Sequence, residues 1–228
     1  MSAVVESPSQ TPGRWSKIAP LFAVLFVAFV VASVVITNAP NSDASPASIL
    51  HFFRTHKNQA SISAVLIAPA IVFGLIWFSY LRNWLQRRDV DHRWGTVAFA
   101  GGILFAATGG VAGGVLAVLG DSPDHLTLSS AQTLNYLQND LTAILGSAAF
   151  GVMAISAGVA MIKSARLPTW LGWVSLILGI LGVLPFGDFF ALPAIGVWTL
   201  LVAGVVYFRS DPDGALVVST SSAPASVG

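Results

Sequence analysis

Three of the four histidines, His51, His56 and His125, stand near Asp121 and Asp124, and these are the residue types that hold a metal ion. Their pattern argues against zinc. The five-residue step from His51 to His56 does not bring both rings to one helical face. Neither an HExxH element nor a Cys/His pair is present, so no metal and no cofactor is expected. The chain has no cysteine, which removes thiol chemistry, disulfides and iron–sulfur clusters.

Asn135, Asn139 and Asp140 are a more interesting set. Asn135 and Asn139 form a polar stripe with Gln132 on an otherwise apolar helical segment, and Asp140 follows it in sequence. Asp140 is read as capping the next helix, pairing with Arg54 or Lys57, or lining a vestibule. Thr108, Ser147, Ser156 and Ser175 lie in apolar stretches. They suit either a path for an uncharged solute or hydrogen bonds to their own helices. Asp188, in "LPFGDFFALP", reads as a solvated turn residue. No nucleophile–base pair can be named, so no catalytic residue is expected.

The run "GGILFAATGGVAGG" carries two small-xxx-small pairs, Gly109 with Gly113 and Gly110 with Gly114. A phosphate cradle would need a preceding strand and a lysine at the phosphates, and both are missing. Close approach of helix backbones is the physical alternative, because absent side chains let them touch. Gly146, Gly151, Ala154 and Gly158 offer a matching surface within the same chain.

The elements that carry these residues follow from composition. Hydrophobic residues make up 55% of the chain and charged ones 9%, with a mean hydropathy of +0.77. Soluble domains carry about 25% charge. There is too little polar surface to coat a globule, so the class is an integral membrane protein. Six apolar stretches approach the roughly 20 residues needed to cross a bilayer, at 18–36, 61–81, 95–119, 141–162, 169–185 and 189–208. None alternates as a barrel strand would. The expected fold is therefore an all-α bundle of six membrane helices. The first stretch is longer than the roughly 7–15 apolar residues of a signal peptide, and it is read as an uncleaved span. The segments 1–13 and 209–228 are read as disordered tails around the membrane domain, 14–208.

Basic residues set the orientation. With the N-terminus inside, the inner segments hold Arg14, Lys17, Arg82, Arg87, Arg88, Arg93, Lys163, Arg166 and Arg209, and the outer ones hold Arg54 and Lys57 out of 11 in all. The positive-inside rule then puts both termini in the cytoplasm of a bacterial cell. Charged side chains avoid the centres of the spans, which counts against ion-coupled transport.

This threading makes "KSARLPTWLGW" a cytoplasmic turn. Lys163 and Arg166 would sit at phosphate level, Pro168 opens a helix, and Trp170 and Trp173 share one face at headgroup depth, as interface anchors. On the outer side, "SPASILHFFRTHK" opens with Ser45 as N-cap and Pro46 at the first helical position. It predicts a short helix lying in the interface, with Ile49, Leu50, Phe52 and Phe53 opposed to His51, Arg54 and Lys57. The segment "SSAQTLNYLQND" predicts an outward extension of the fourth span, starting near Ser129 or Ser130.

The order "HFFRTHKNQ", "WFSYLRNWLQRRD", glycine-rich span, "LNYLQNDL" and "ARLPTWLGW" resembles bacterial multi-pass membrane proteins of unknown function. The resemblance covers about 49–183. It implies a six-helix bundle in the cytoplasmic membrane and brings no catalytic residues. Three functions stay open: a non-enzymatic structural or regulatory component, a transporter or channel for a small neutral solute, and a membrane enzyme working at the outer face through Asp140, Asp121 or His125. The partners expected are membrane lipids and either another membrane protein or a second copy, with no nucleic acid.

Overall fold

The computed structural model describes residues 15–87, 92–164, 167–184 and 188–209. Within these residues the chain is helical and has no strand. The expected tails at 1–13 and 210–228 lie outside the described residues. Arg209, expected in the second tail, is the last residue of a helix.

Helix α1 spans Trp15–Thr37. It ends where Asn38 takes a left-handed φ of 41°, a conformation Asn tolerates at helix C-termini. After a short loop comes α2, Pro46–Thr55. Its N-cap Ser45 accepts a hydrogen bond from the Ser48 amide, with proline at the first position. Helix α3, Lys57–Gln86, and helix α4, Arg93–Asp121, form a long hairpin. The Gln86 amide ties its turn by donating to Thr96 Oγ1 at 3.1 Å. A single 3-10 turn, Pro123–His125, leads into α5, Leu128–Asp140. There Thr127 and Ser130 cap each other reciprocally, satisfying amides that a helix start leaves free.

Helix α5 does not stop at the apolar stretch that follows. It passes through a π-helical segment, Leu141–Gly146, into α6, Ser147–Lys163. The result is one continuous helix of 36 residues. The expected outward extension is present and begins at Leu128. Helices α7, Thr169–Val183, and α8, Asp188–Arg209, complete the chain.

The apolar helices pack in a closed ring, in the order α1, α3, α4, α6, α7, α8 and back to α1. The larger of two apolar clusters binds this ring, with Phe26, Trp77, Phe78, Phe150, Leu171 and Trp198 among its buried residues. The smaller cluster closes one end. Ile49, Leu50 and Phe53 of α2 pack there on Ala60, Leu116, Leu119 and Ala131. The apolar face of α2 therefore packs on α3, α4 and α5, and the helix caps this end of the bundle.

Glycines set the closest approaches. A Cβ on Gly101 of α4 would lie 2.9 Å from the Ala149 carbonyl oxygen of α6. Gly151 and Gly158 of α6 meet α7, at Gly179 and Gly172. They do not meet the glycine-rich helix α4, which had been the expected partner. Hydroxyls add interhelical bonds: Ser33 of α1 pairs with Ser63 of α3 at 2.9 Å between hydroxyl oxygens. The indole Nε1 of Trp198 donates to Ser175 Oγ at 2.8 Å, joining α8 to α7.

Candidate functional site

Asn135 is the most completely buried amide side chain of α5, 1% exposed. It faces the loop between α1 and α2. Its Nδ2 donates to the Pro40 carbonyl at 3.4 Å and the Asn41 carbonyl at 3.3 Å. Its Oδ1 has no partner. Gln138 Oε1 and Asn139 Nδ2, three and four positions further on, are also buried without partners. These positions share one helical face. Buried polar atoms are nearly always paired, so three orphans within one turn are unusual. The π-helical segment begins two residues later, and such segments concentrate at functional sites.

Asp140 stands exposed at the start of that segment. Arg54, its expected partner, instead lies 3.7 Å from Asp124. Asp121 accepts a hydrogen bond from Ser61 at 2.6 Å. His56 stacks on Phe52, with ring centroids 4.5 Å apart. No group of three or more His, Cys, Asp or Glu suited to a metal ion occurs among the described residues. The side chain of Asp188 lies outside the described residues.

The four glycines singled out in α4 divide by face. A Cβ on Gly113 would meet Ile67 Cδ1 of α3 at 2.9 Å, and one on Gly110 would meet Ile71 Cδ1 at 3.2 Å. Those two pack inside the chain. Gly109 and Gly114 have nothing within 4 Å of a Cβ. A groove of about 270 Å³ runs here between α3 and α4. Ile67 and Ile71 form one wall, Gly110, Gly113 and Gly114 the floor, and Ser61 and Asp121 close one end. Val65 on its rim is 70% exposed.

At the opposite end of the bundle, the Lys163 ammonium lies 5.4 Å from the Trp94 ring centroid and the Arg82 guanidinium 5.5 Å from that of Phe99. Cations over aromatic faces gain from the ring quadrupole. Trp170 and Trp173 are 54% and 56% exposed, on one outward face of α7. Arg166, the remaining expected anchor, lies outside the described residues.

The hydroxyls read as a solute path are largely engaged. Thr108 donates to Leu104 O at 2.9 Å and Ser175 to Leu171 O at 2.8 Å. Ser147 bonds back to Ala143 and Ile144. Ser156 is buried.

Four helical stretches are long and apolar enough to cross a membrane: Lys17–Thr37, Lys57–Gln86, Arg93–Asp121 and Leu128–Lys163. That is the architecture of a multi-pass membrane protein. No protein family matches the chain, and no curated protein or solved structure does either. The resemblance carried by "LPTWLGW" and its companion segments rests on the sequence alone.

Proposed function

We propose that the protein is a non-enzymatic structural component of the bacterial cytoplasmic membrane, with six spans and both termini in the cytoplasm, and that its α3–α4 groove receives a second copy. The carrying observation is the divided glycine stripe. All three floor glycines line the groove, but Gly110 and Gly113 have α3 isoleucines against them, while Gly114 has nothing within 4 Å. Small residues let a foreign helix approach closely in lipid, where packing rather than hydrophobicity drives association.

Charge favours a copy of the same chain as occupant. Asp121 closes the outer end of the groove. Lys57, exposed at the outer start of α3, has no ion pair among the described residues. In a two-fold pair about the membrane normal each group keeps its depth: Asp121 is level with Ser61, and Lys57 stands one turn, about 6 Å, further out, a gap that a lysine side chain spans. Lys57 of one copy can then meet Asp121 of the other, as an isologous contact requires.

Helices α7 and α8 supply spans five and six. Helix α7, with 15 residues, is about 22 Å long at roughly 1.5 Å per residue. That is short of a hydrocarbon core of about 30 Å, a mismatch that membranes accommodate by thinning or by interfacial anchors. Trp170 and Trp173 are such anchors. The engaged hydroxyls of Thr108, Ser147 and Ser175 favour a packed interior over a solute path.

The chain has no cysteine, so single cysteines report without interference. Val65→Cys and Gly114→Cys, oxidised in native membranes, should give a crosslinked species of twice the chain mass. A crosslink to a different protein would replace the second copy with another partner. No crosslink at either position would leave the groove to lipid and overturn the reading. Turnover of any substrate by the purified chain would overturn the non-enzymatic part.

A further inference from the structure

Independently of the groove, the orphaned amides of α5 carry an inference about binding. Asn135 leaves an acceptor unmatched, Gln138 a second acceptor, and Asn139 a donor. All three atoms are shielded from solvent. A buried amide atom left unmatched forfeits its hydration without a replacement bond, so a face carrying three of them calls for a complement. That complement offers two donors and one acceptor.

Over Asn135 lies the loop 38–45. It leaves α1 through the left-handed Asn38 and re-enters helix at the Ser45 cap. Asn135 holds its middle through two hydrogen bonds of 3.3 and 3.4 Å, beyond the usual N–H···O range of about 2.7–3.2 Å. Within the loop, the Ala44 amide bonds Asn41 O at 3.1 Å, a local turn between the two helix ends. No charged side chain contributes to the three orphan atoms, which disfavours an ion.

We propose that the loop 38–45 is a lid latched by Asn135, and that the face of Asn135, Gln138 and Asn139 beneath it binds a small neutral molecule rich in hydrogen-bond donors, of the amide, urea or polyol class. Asn135 then has two roles. Its Nδ2 keeps the lid shut, and its Oδ1 is the first acceptor offered to the ligand when the lid lifts.

The test uses Asn139→Cys in the full-length chain reconstituted in liposomes, with a membrane-impermeant maleimide added outside. This variant keeps both acceptors. Asp124→Cys, whose parent side chain is well exposed, serves as the fast-reacting control. Labelling of Asn139→Cys should be slow, and roughly tenfold faster once Asn135→Ala removes both latch bonds. Acetamide, urea or glycerol should slow labelling of Asn139→Cys while leaving the Asp124→Cys control unchanged, and this protection should vanish with Asn135→Ala. If Asn135→Ala lowers the melting temperature, Asn135→Ser replaces it, retaining a hydroxyl but not the reach to the loop. Equal rates with and without Asn135 would refute the latch. Absence of protection by all three probes would refute the binding site, leaving the amides to water alone.

Discussion

Gly158 and Gly172 face each other across the α6–α7 crossing. A Cβ on Gly158 would lie 2.7 Å from the Gly172 carbonyl oxygen, and one on Gly172 would lie 3.0 Å from the Gly158 carbonyl oxygen. Seven residues away on each helix, Gly151 and Gly179 repeat the relation, at 2.9 and 3.0 Å. The opposing atoms are backbone, so neither side can give way by turning a side chain. Gly158→Ala should therefore destabilise the bundle by about 1–3 kcal/mol, as overpacking does. Gly172→Ala should cost a similar amount, and the double variant less than the sum, because one methyl group already parts the helices. Thermal melts of the three variants in detergent measure this. Additive losses would mean the two glycines do not share a contact.

In α4 the neighbouring glycines should behave differently from one another. Gly113→Leu has to displace Ile67 and should lose up to a few kcal/mol, with Gly113→Ala losing much less. Gly114→Leu has room and should melt within about 0.5 kcal/mol of the parent. It should nevertheless abolish the proposed pairing of copies. Val118→Ala, exposed on the same helix, is the control. Melts read the first effect, and crosslinking through Val65→Cys reads the second. A folded, still-paired Gly114→Leu protein would remove the groove from the interface.

Ser33 and Ser63 should be energetically coupled. Each hydroxyl also lies within bonding distance of the other's backbone carbonyl, so two hydroxyl protons are shared among three acceptor positions in a small network between α1 and α3. Interhelical bonds of this kind in membranes average about 0.6 kcal/mol. A double-mutant cycle with Ser33→Ala and Ser63→Ala should give a coupling of about that size, measured by unfolding. Zero coupling would mean that each hydroxyl is satisfied by its own helix.

The threading makes a direct prediction. A reporter fused after Arg209 should behave as cytoplasmic, and one inserted between Asp121 and Asp124 as external. The α1 segment should persist in the mature protein. External behaviour of the first fusion, or a mature chain beginning near Ser45, would break the six-span arrangement.

Helix positions were legible because hydropathy is a property of a segment. The Ser45–Pro46 start of α2 was readable for a similar reason, since a cap is local chemistry. What was not legible depends on azimuth. Gly109 and Gly113 look equivalent in a repeat of small residues, yet one meets open space and the other Ile67. Gly151 and Gly158 were seen as small, but their partner was misassigned, because nothing in a single sequence says which neighbour a face will meet. Their seven-residue spacing, matched by Gly172 and Gly179, was the available signal. The polar candidates fared likewise. Asn135 was found by its stripe, but its hydrogen bonds to Pro40 and Asn41, far away in the chain, were not legible, and Gln138 was passed over.

The π-helical stretch Leu141–Gly146 gives the long helix a phase shift. An α-helix turns about 100° per residue, so one residue accommodated in a wide turn rotates everything beyond it by that angle. The amides of α5 and the glycines of α6 are therefore set by two different clocks on one rod. Deleting a single residue from this stretch would restore a uniform helix and resynchronise them. Gly151 and Gly158 would then swing away from α7 while Asn135 kept its hold on the loop. The bundle's ring and its polar end are thus joined by an offset of one residue, and a length change too small to alter any hydropathy profile would uncouple them.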